Sequence, residues 1–289
     1  MKKTATLLLF LLTFATSICL ADDLDEIKNR GILRHLGVPY AGFVIDQEKG
    51  LDVEMMRLFA AHLGVEYRFV ASTWTDVIPD LIGHKISYNG EDVAIGEATE
   101  IKGDVIANGL TILPWRLKVV AYSKPTFPNQ IWLISDSKEN LRPIQPSKDI
   151  ATDMEQVKKL LVDTKVLCKK GTCLDPSLYG LKQAGATPVD FEGNLNEIIP
   201  AVLKGSVKTA IIDVPDALVA FEKWPGQFLV IGPVSRQQEM AVAFPPKSHV
   251  LQAAFNDFFE TLCRQGIYQK LVEKYYPAVY EYYPDFFLR

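Results

Sequence analysis

Apolar positions along this chain alternate between short continuous runs and runs spaced by three and four, the pattern of strands and amphipathic helices in succession. Residues 24–30 read as a helix closed by Gly31, and 32–36 as the first strand. Within 50–64, Val53, Met56, Leu58, Phe59 and Leu63 recur on a helical period, and Gly64 ends the run. A strand at 65–70, a short helix at 76–82 and a strand at 104–107 follow. That order predicts parallel pairing in an α/β sheet. The second half repeats the logic: helix 154–161, strand 165–168, a loop and helix over 171–184, strand 187–191, helix 195–204 and strand 209–213. Residues 250–276 read as strongly helical, with Ala254, Phe258, Leu262 and Leu271 apolar. Two extended apolar segments, 129–135 and 228–234, are expected to carry the chain out of one lobe and back into it. The expected organisation is therefore lobe 1 from 22–129 plus 236–289 and lobe 2 from 130–235, each a parallel-type sheet flanked by helices.

The first residues stand outside this pattern. Lys2 and Lys3 precede the apolar residues 7–14, and Cys19-Leu20-Ala21 then leads into Asp22-Asp23. This is the layout of a secretory signal peptide, residues 1–21, cut after Ala21. A periplasmic location follows from it. Lipid attachment at Cys19 is disfavoured because Ile18 stands where a small residue is expected. With 48% apolar and 23% charged residues the rest is of globular composition. The formal charge of −4 becomes more negative once Lys2 and Lys3 are removed. No basic stripe interleaved with aromatics suggests nucleic acid. His35, His62, His84 and His249 are scattered, with no ligand spacing to a cysteine, so neither a metal nor another cofactor is expected. In an oxidising compartment Cys168 and Cys173 are expected to pair, the alternative being two small buried side chains; Cys263 reads as a buried helix position.

Three stretches carry candidate chemistry. Residues 109–116 (Gly-Leu-Thr-Ile-Leu-Pro-Trp-Arg) follow a predicted strand. Gly109 permits close backbone approach, Thr111 offers a hydroxyl, and Arg116 offers a planar fork matched to a carboxylate, although a lone arginine is more often a surface ion pair. Residues 168–173 (Cys-Lys-Lys-Gly-Thr-Cys) leave a strand and open a predicted helix, where free N–H groups and the Thr172 hydroxyl suit an anion; an ordinary cap is the alternative. Asp213 ends an apolar strand, where it either meets an ammonium group or caps the helix around 215–221.

Taken in order, Gly-x-Thr-x-x-x-x-Arg, then Gly-Thr, then strand-Asp resemble the family-3 extracellular solute-binding proteins, the receptors of polar amino-acid transporters. Residues 24–33, 74–81, 205–217 and 266–276 share the resemblance. It implies a two-lobed type II periplasmic-binding-protein fold that closes on an amino acid or related small carboxylate, acts as a monomer and serves the membrane permease of an ABC transporter. Carried over position by position, Arg116 would grip the ligand's carboxylate with help from Thr111 and Thr172. Asp213 and the Gly109 carbonyl would take its ammonium. Tyr40, within Tyr40-Ala41-Gly42-Phe43, and Trp74 would wall the side-chain pocket, core packing being the alternative for Trp74 and Phe43.

Several positions depart from that pattern. Residues 84–103 are longer than the usual turn, with Asn89-Gly90 predicting a hairpin near the cleft mouth. Leu36-Gly37-Val38-Pro39 lacks the family's acidic residue, which argues against a receptor dedicated to Lys, Arg or His. Cys173 replaces a threonine and Leu113 a polar residue, so a more apolar pocket is expected, with Trp115 adding to it. Two other functions compete: a lyase resembling cyclohexadienyl dehydratase, with Glu239 as acid, and a sensory or docking module that does not transport. No catalytic set supports an enzyme. The aromatic tail, residues 275–287, is expected to pack back on lobe 1 or to mark a protein contact.

Overall fold

The computed structural model describes residues 23–88 and 92–288. Residues 1–21, expected to be a signal peptide, and the turn expected at Asn89-Gly90 lie outside the described residues. The chain begins with α1 (Asp23–Arg30), β1 (Ile32–Gly37), α2 (Leu51–Leu63), β2 (Glu66–Ala71) and α3 (Val77–Ile82). Strands β3 (His84–Tyr88) and β4 (Val93–Ala98) form an antiparallel hairpin, as the Asn-Gly signal predicts. Then come β5 (Val105–Ile106), β6 (Ala121–Tyr122), β7 (Phe127–Asn129), β8 (Ile131–Asp136), α4 (Ile150–Lys159), β9 (Lys165–Cys168), β10 (Thr187–Asp190), α5 (Ile198–Lys204) and β11 (Thr209–Asp213). The chain finishes with α6 (Val214–Lys223), β12 (Phe228–Pro233), β13 (Gln238–Met240), β14 (Ala243–Phe244), α7 (His249–Arg264), α8 (Ile267–Tyr275) and α9 (Val279–Tyr282).

Two five-stranded sheets result, ordered β2-β1-β5-β14-β6 and β10-β9-β11-β8-β12. Both are mixed rather than parallel throughout. Their βαβ-connected strands pair in parallel, β2 with β1 with β5, and β10 with β9 with β11. Strand β8, by which the chain enters the second sheet, lies antiparallel between β11 and β12, which α6 joins in the same direction, and β14, by which the chain returns, pairs antiparallel with β5 and β6. Between the sheets the chain passes twice through one antiparallel ribbon, β7 against β13. The segments read as crossings thus lie mostly inside the second sheet, as β8 and β12, and the ribbon supplies the passage.

Local chemistry accounts for the other shifts of boundary. Helix α4 starts four residues before the expected position because the Asp149 side chain accepts the N–H groups of Ala151 and Thr152. Over 171–184 only a short 3-10 turn forms, Pro176–Tyr179, ended by Gly180 at φ 64°. There Asp175 accepts from the N–H groups of Gly171 and Ser177, so a side chain offers the backbone an alternative to helix. The long C-terminal helical pattern breaks at Gly266, whose φ of 67° separates α7 from α8.

Helix α2 buries Leu51, Val53, Met55, Met56 and Phe59, whereas Leu58, read as part of the same face, is exposed. Phe59 meets Phe255 edge-on at 5.2 Å and Phe258 at 5.2 Å, which docks α2 on α7. In β1, fully buried His35 bridges strand and loop: its Nε2 donates to the Ala107 carbonyl at 2.6 Å, so its Nδ1 accepts from the Tyr67 hydroxyl at 2.8 Å. Burial lowers its pKa to about 4, keeping it neutral. The aromatic tail folds over the ribbon: Phe287 contacts Phe127, Tyr282 contacts Trp132, and the Tyr283 hydroxyl donates to Gln130 Oε1 at 3.1 Å.

Removing the Phe59 ring leaves a cavity between α2 and α7 that neither helix can close without losing its other contacts. Phe59→Ala is expected to lower unfolding stability by about 3–5 kcal/mol with unchanged far-UV circular dichroism. A loss below about 1 kcal/mol in urea titration would contradict the docking role given to this ring.

Candidate ligand-binding cleft

A cavity of about 1040 Å³ lies between elements of the two sheets. Trp74, Tyr88, Trp115 and Arg116 line it from the first sheet's side, and Lys169, Lys170, Thr172, Asp175, Lys182 and Asp190 from the second's. Of the residues singled out in the sequence, Arg116, Trp74 and Thr172 reach this cavity. Tyr40, Gly109, Thr111 and Asp213 do not line it.

Arg116 opens a one-turn 3-10 helix after Trp115 and is 2% exposed. Its Nη1 donates to the Thr111 carbonyl at 2.9 Å, while its Nε is buried without a hydrogen-bond partner. The Tyr122 hydroxyl donates to the same carbonyl at 3.2 Å. Thr111 therefore acts through its backbone, as a rest for the guanidinium. Its hydroxyl faces the ribbon, accepting from Asn129 Nδ2 at 3.2 Å. Gly109, at φ 64°, is fixed from behind: its N–H donates to Asp52 Oδ2 at 2.8 Å, and a Cβ there would stand 2.4 Å from Phe43. Phe43 is a core residue, edge-on to Phe127 at 5.1 Å.

The anion-binding turn expected at 168–173 instead satisfies itself. The N–H of Lys170 donates to Asp190 Oδ1 at 3.0 Å, and that of Gly171 to Asp175 Oδ2 at 3.0 Å. The Thr172 hydroxyl donates to the Lys169 carbonyl at 2.8 Å and accepts from the Leu174 N–H at 3.1 Å. The expected Cys168–Cys173 disulfide is not formed; both are free thiols. The two side chains take different partners, Cys168 Sγ the Val189 carbonyl at 3.5 Å and Cys173 Sγ Asp213 Oδ2 at 3.4 Å.

Asp213 fulfils its capping reading: Oδ1 accepts the Asp216 N–H at 3.3 Å at the start of α6. Its other oxygen accepts from the Tyr40 hydroxyl as well as from Cys173. Burial raises the Asp213 carboxyl above the ordinary range, and burial with the neighbouring Asp213 charge raises Asp216 further. Tyr40, 1% exposed, stands edge-on to Trp74 at 5.3 Å, so it backs the cavity wall rather than forming it.

Sequence reasoning missed Tyr88, Asp175, Lys182 and Asp190 as lining residues. The hairpin brings Tyr88 against Trp115, ring centroids 4.6 Å apart, and the predicted placing of that hairpin near the cleft was the available signal. Glu239, the acid of the lyase reading, sits in β13 and does not line the cavity; its carbonyl accepts from the Ile112 N–H at 2.8 Å. Among the described residues no group of three or more His, Cys, Asp or Glu could hold a metal ion, and no helix is long and apolar enough to cross a membrane.

Two mixed five-stranded sheets in this order, joined by a ribbon with a polar cavity between them, define a type II periplasmic-binding-protein fold. The chain belongs to the bacterial extracellular solute-binding proteins, family 3, whose model matches residues 89–278. Among solved structures it is similar to a mutant of ArgBP from T. maritima, at 25% identity over 88% of this chain and 99% of that one, TM-score 0.69. It is also similar to an ancestral amino acid-binding protein, AncCDT-1, a precursor of cyclohexadienyl dehydratase, at 24% identity over 89% and 100%, TM-score 0.68. A third is AbpA, an amino acid ABC transporter substrate-binding protein from Streptococcus pneumoniae bound to L-arginine, at 21% identity over 88% and 98%, TM-score 0.66. Among curated proteins there is no match.

The support beneath Gly109 titrates. Burial pushes the Asp52 carboxyl from an ordinary 3.8 up to about 7, and its Oδ1 is buried without a partner. Between those values the folded chain keeps a proton that the unfolded chain has released. The stabilisation is therefore full below pH 3.8 and is lost as pH rises through about 7. Asp52→Asn keeps an acceptor for the Gly109 N–H and cannot ionise. Its stability relative to wild type is expected to rise between pH 5 and pH 8 in urea titrations. A difference that stays constant with pH would show that Asp52 does not titrate in this window.

Proposed function

We propose that this chain is a periplasmic receptor that captures an amino acid or a related small carboxylate and delivers it to the permease of an ABC transporter. Its lobes would be 22–129 plus 236–289 and 130–235, closing on the ligand about the β7–β13 ribbon. Family membership and the likeness to proteins described as amino acid-binding support the class. The signal-like residues 1–21 support export.

One observation carries the ligand class. Arg116 is a buried guanidinium at the cavity wall, resting on a carbonyl and holding an unpartnered Nε donor. A desolvated cation without an anionic partner is costly, and a ligand carboxylate would supply that partner through charge-assisted hydrogen bonds. Aromatic rings at Trp74, Tyr88 and Trp115 would cover the ligand's apolar part. The role of Asp213 differs from the one the family resemblance implies. With Tyr40 and Cys173 on its carboxyl, it would hold the two lobes against each other and seat an ammonium only after Tyr40 has moved aside.

A ligand that binds only the folded state stabilises it by about 2.7 kcal/mol at a hundred times its Kd, which raises Tm by several degrees in a protein of this size. A thermal-shift panel of amino acids and small carboxylates on the mature protein is expected to yield such a ligand. Arg116→Ala should abolish the shift and Arg116→Lys retain part of it. A ligand whose shift survives Arg116→Ala would overturn this assignment of the carboxylate grip.

A further inference from the structure

We infer that this cleft selects aromatic carboxylic acids lacking an α-ammonium group, with Tyr40 as the residue that excludes the amine. This rests on the receptor reading above and narrows its ligand class.

The argument begins with what the cavity wall leaves unsatisfied. Among the described residues, the cavity-lining side chains that bury a polar atom without a partner are Trp115, through Nε1, and Arg116, through Nε. Both atoms are donors. They lie within the wall rather than on its surface, and with the Arg116 charge beside them they make this wall favour an anionic ligand rich in acceptors.

Two of the cations at the wall, Arg116 and Lys169, have only carbonyl partners. Arg116 rests on the Thr111 carbonyl. Lys169 Nζ donates to the carbonyls of Phe191 at 3.0 Å and Gly193 at 2.9 Å, partners that orient the ammonium without neutralising it.

The carboxylates at the wall, by contrast, are engaged by the chain. Asp92 pairs with Lys118 at 2.8 Å. Asp175 takes the N–H of Gly171 and both the N–H and hydroxyl of Ser177. Asp190 takes the N–H of Lys170 at 3.0 Å, with the same residue's Nζ at 3.7 Å. Asp213, the acid that family resemblance offers to an ammonium, does not line the cavity and has Tyr40 and Cys173 on one oxygen and Asp216 on the other.

An amino acid entering here would find a partner for its carboxylate, but its ammonium would have to compete with Lys118 and Lys170 for Asp92 and Asp190, and it would reach Asp213 only if the Tyr40–Asp213 contact broke. The deaminated analogue makes the same carboxylate contact without stranding a charge. The rest of the wall suits an arene: Trp74, Tyr88 and Trp115 present rings, with Tyr88 and Trp115 inclined by 31° at 4.6 Å.

The matched probes are 3-phenylpropanoate and L-phenylalanine, which differ only by the ammonium group. Titration calorimetry on the mature protein is expected to show the deaminated acid binding about tenfold tighter or more, the least that a stranded charge costs. Arg116→Ala should lose it. Tyr40→Phe, which removes the hydroxyl from Asp213, should narrow the gap by recovering phenylalanine. Equal affinities in wild type, a preference for phenylalanine, or binding of neither acid would overturn the inference. An unchanged gap in Tyr40→Phe would overturn the part given to Tyr40. In each of these cases an Arg116-dependent amino acid from the wider panel would leave the receptor function standing.

Discussion

A carboxyl group taken out of water must find its partners in the chain or in a ligand, and Asp213 finds them in the chain. The satisfaction of this one group ties together segments that are far apart in sequence. Tyr40 comes from the loop between β1 and α2, Cys173 from the loop after β9, and Asp216 from the first turn of α6. The β7–β13 ribbon is a short pairing, and side-chain contacts from one sheet's surroundings to the other's set their mutual placement beside it. Ala41, next to Tyr40, adds a second such contact by donating its N–H to Asn196 Oδ1 at 2.8 Å. Burial raises both Asp213 and Asp216, and the neighbouring Asp213 charge adds to the shift of Asp216.

Much of this frame was legible in the sequence because it is built from periodicity. Strands β9 and β11 have the predicted bounds, and helix α2 differs by one residue at each end. Legibility failed where side chains compete with the backbone for hydrogen bonds. Asp149 lengthens α4, and Asp175 replaces an expected helix over 171–184 with a turn. Arg116 was found through its spacing from Gly109 and Thr111, which reflects a real local loop. The state of Asp213 was not legible, because it depends on a tyrosine 173 residues away. The cysteine pairing failed for a related reason. Closeness in sequence says nothing about which way two side chains turn at the end of a strand.

The two charged groups that family resemblance assigns to a zwitterion are thus in opposite conditions. Arg116 rests on a carbonyl, which orients it but leaves its charge in place. A planar fork seated in this way presents its remaining donors in a fixed plane, which a flexible ammonium would not do. Asp213 is covered, and its acceptor capacity is spent within the protein. In the proposed receptor, binding energy would be concentrated at the cationic end. Preorganisation is obtained there without a ligand, because Thr111 is itself held by Asn129 and Met240 of the ribbon.

The position of that arginine is therefore coupled to the ribbon, and the ribbon is coupled to the tail. Phe127 of β7 packs against Phe287 and Tyr276, and Gln130, just beyond the ribbon, takes both the Tyr283 hydroxyl and the Trp132 indole N–H. In the proposed closure, rotation of one sheet against the other would bend the chain near Gln130, which carries these contacts. Bending there would displace Asn129, whose amide holds the Thr111 hydroxyl, and so would reach the carbonyl on which Arg116 rests. In the proposed receptor the aromatic tail would thereby stiffen one of the two passages between the sheets, the one that leads to the carbonyl under Arg116.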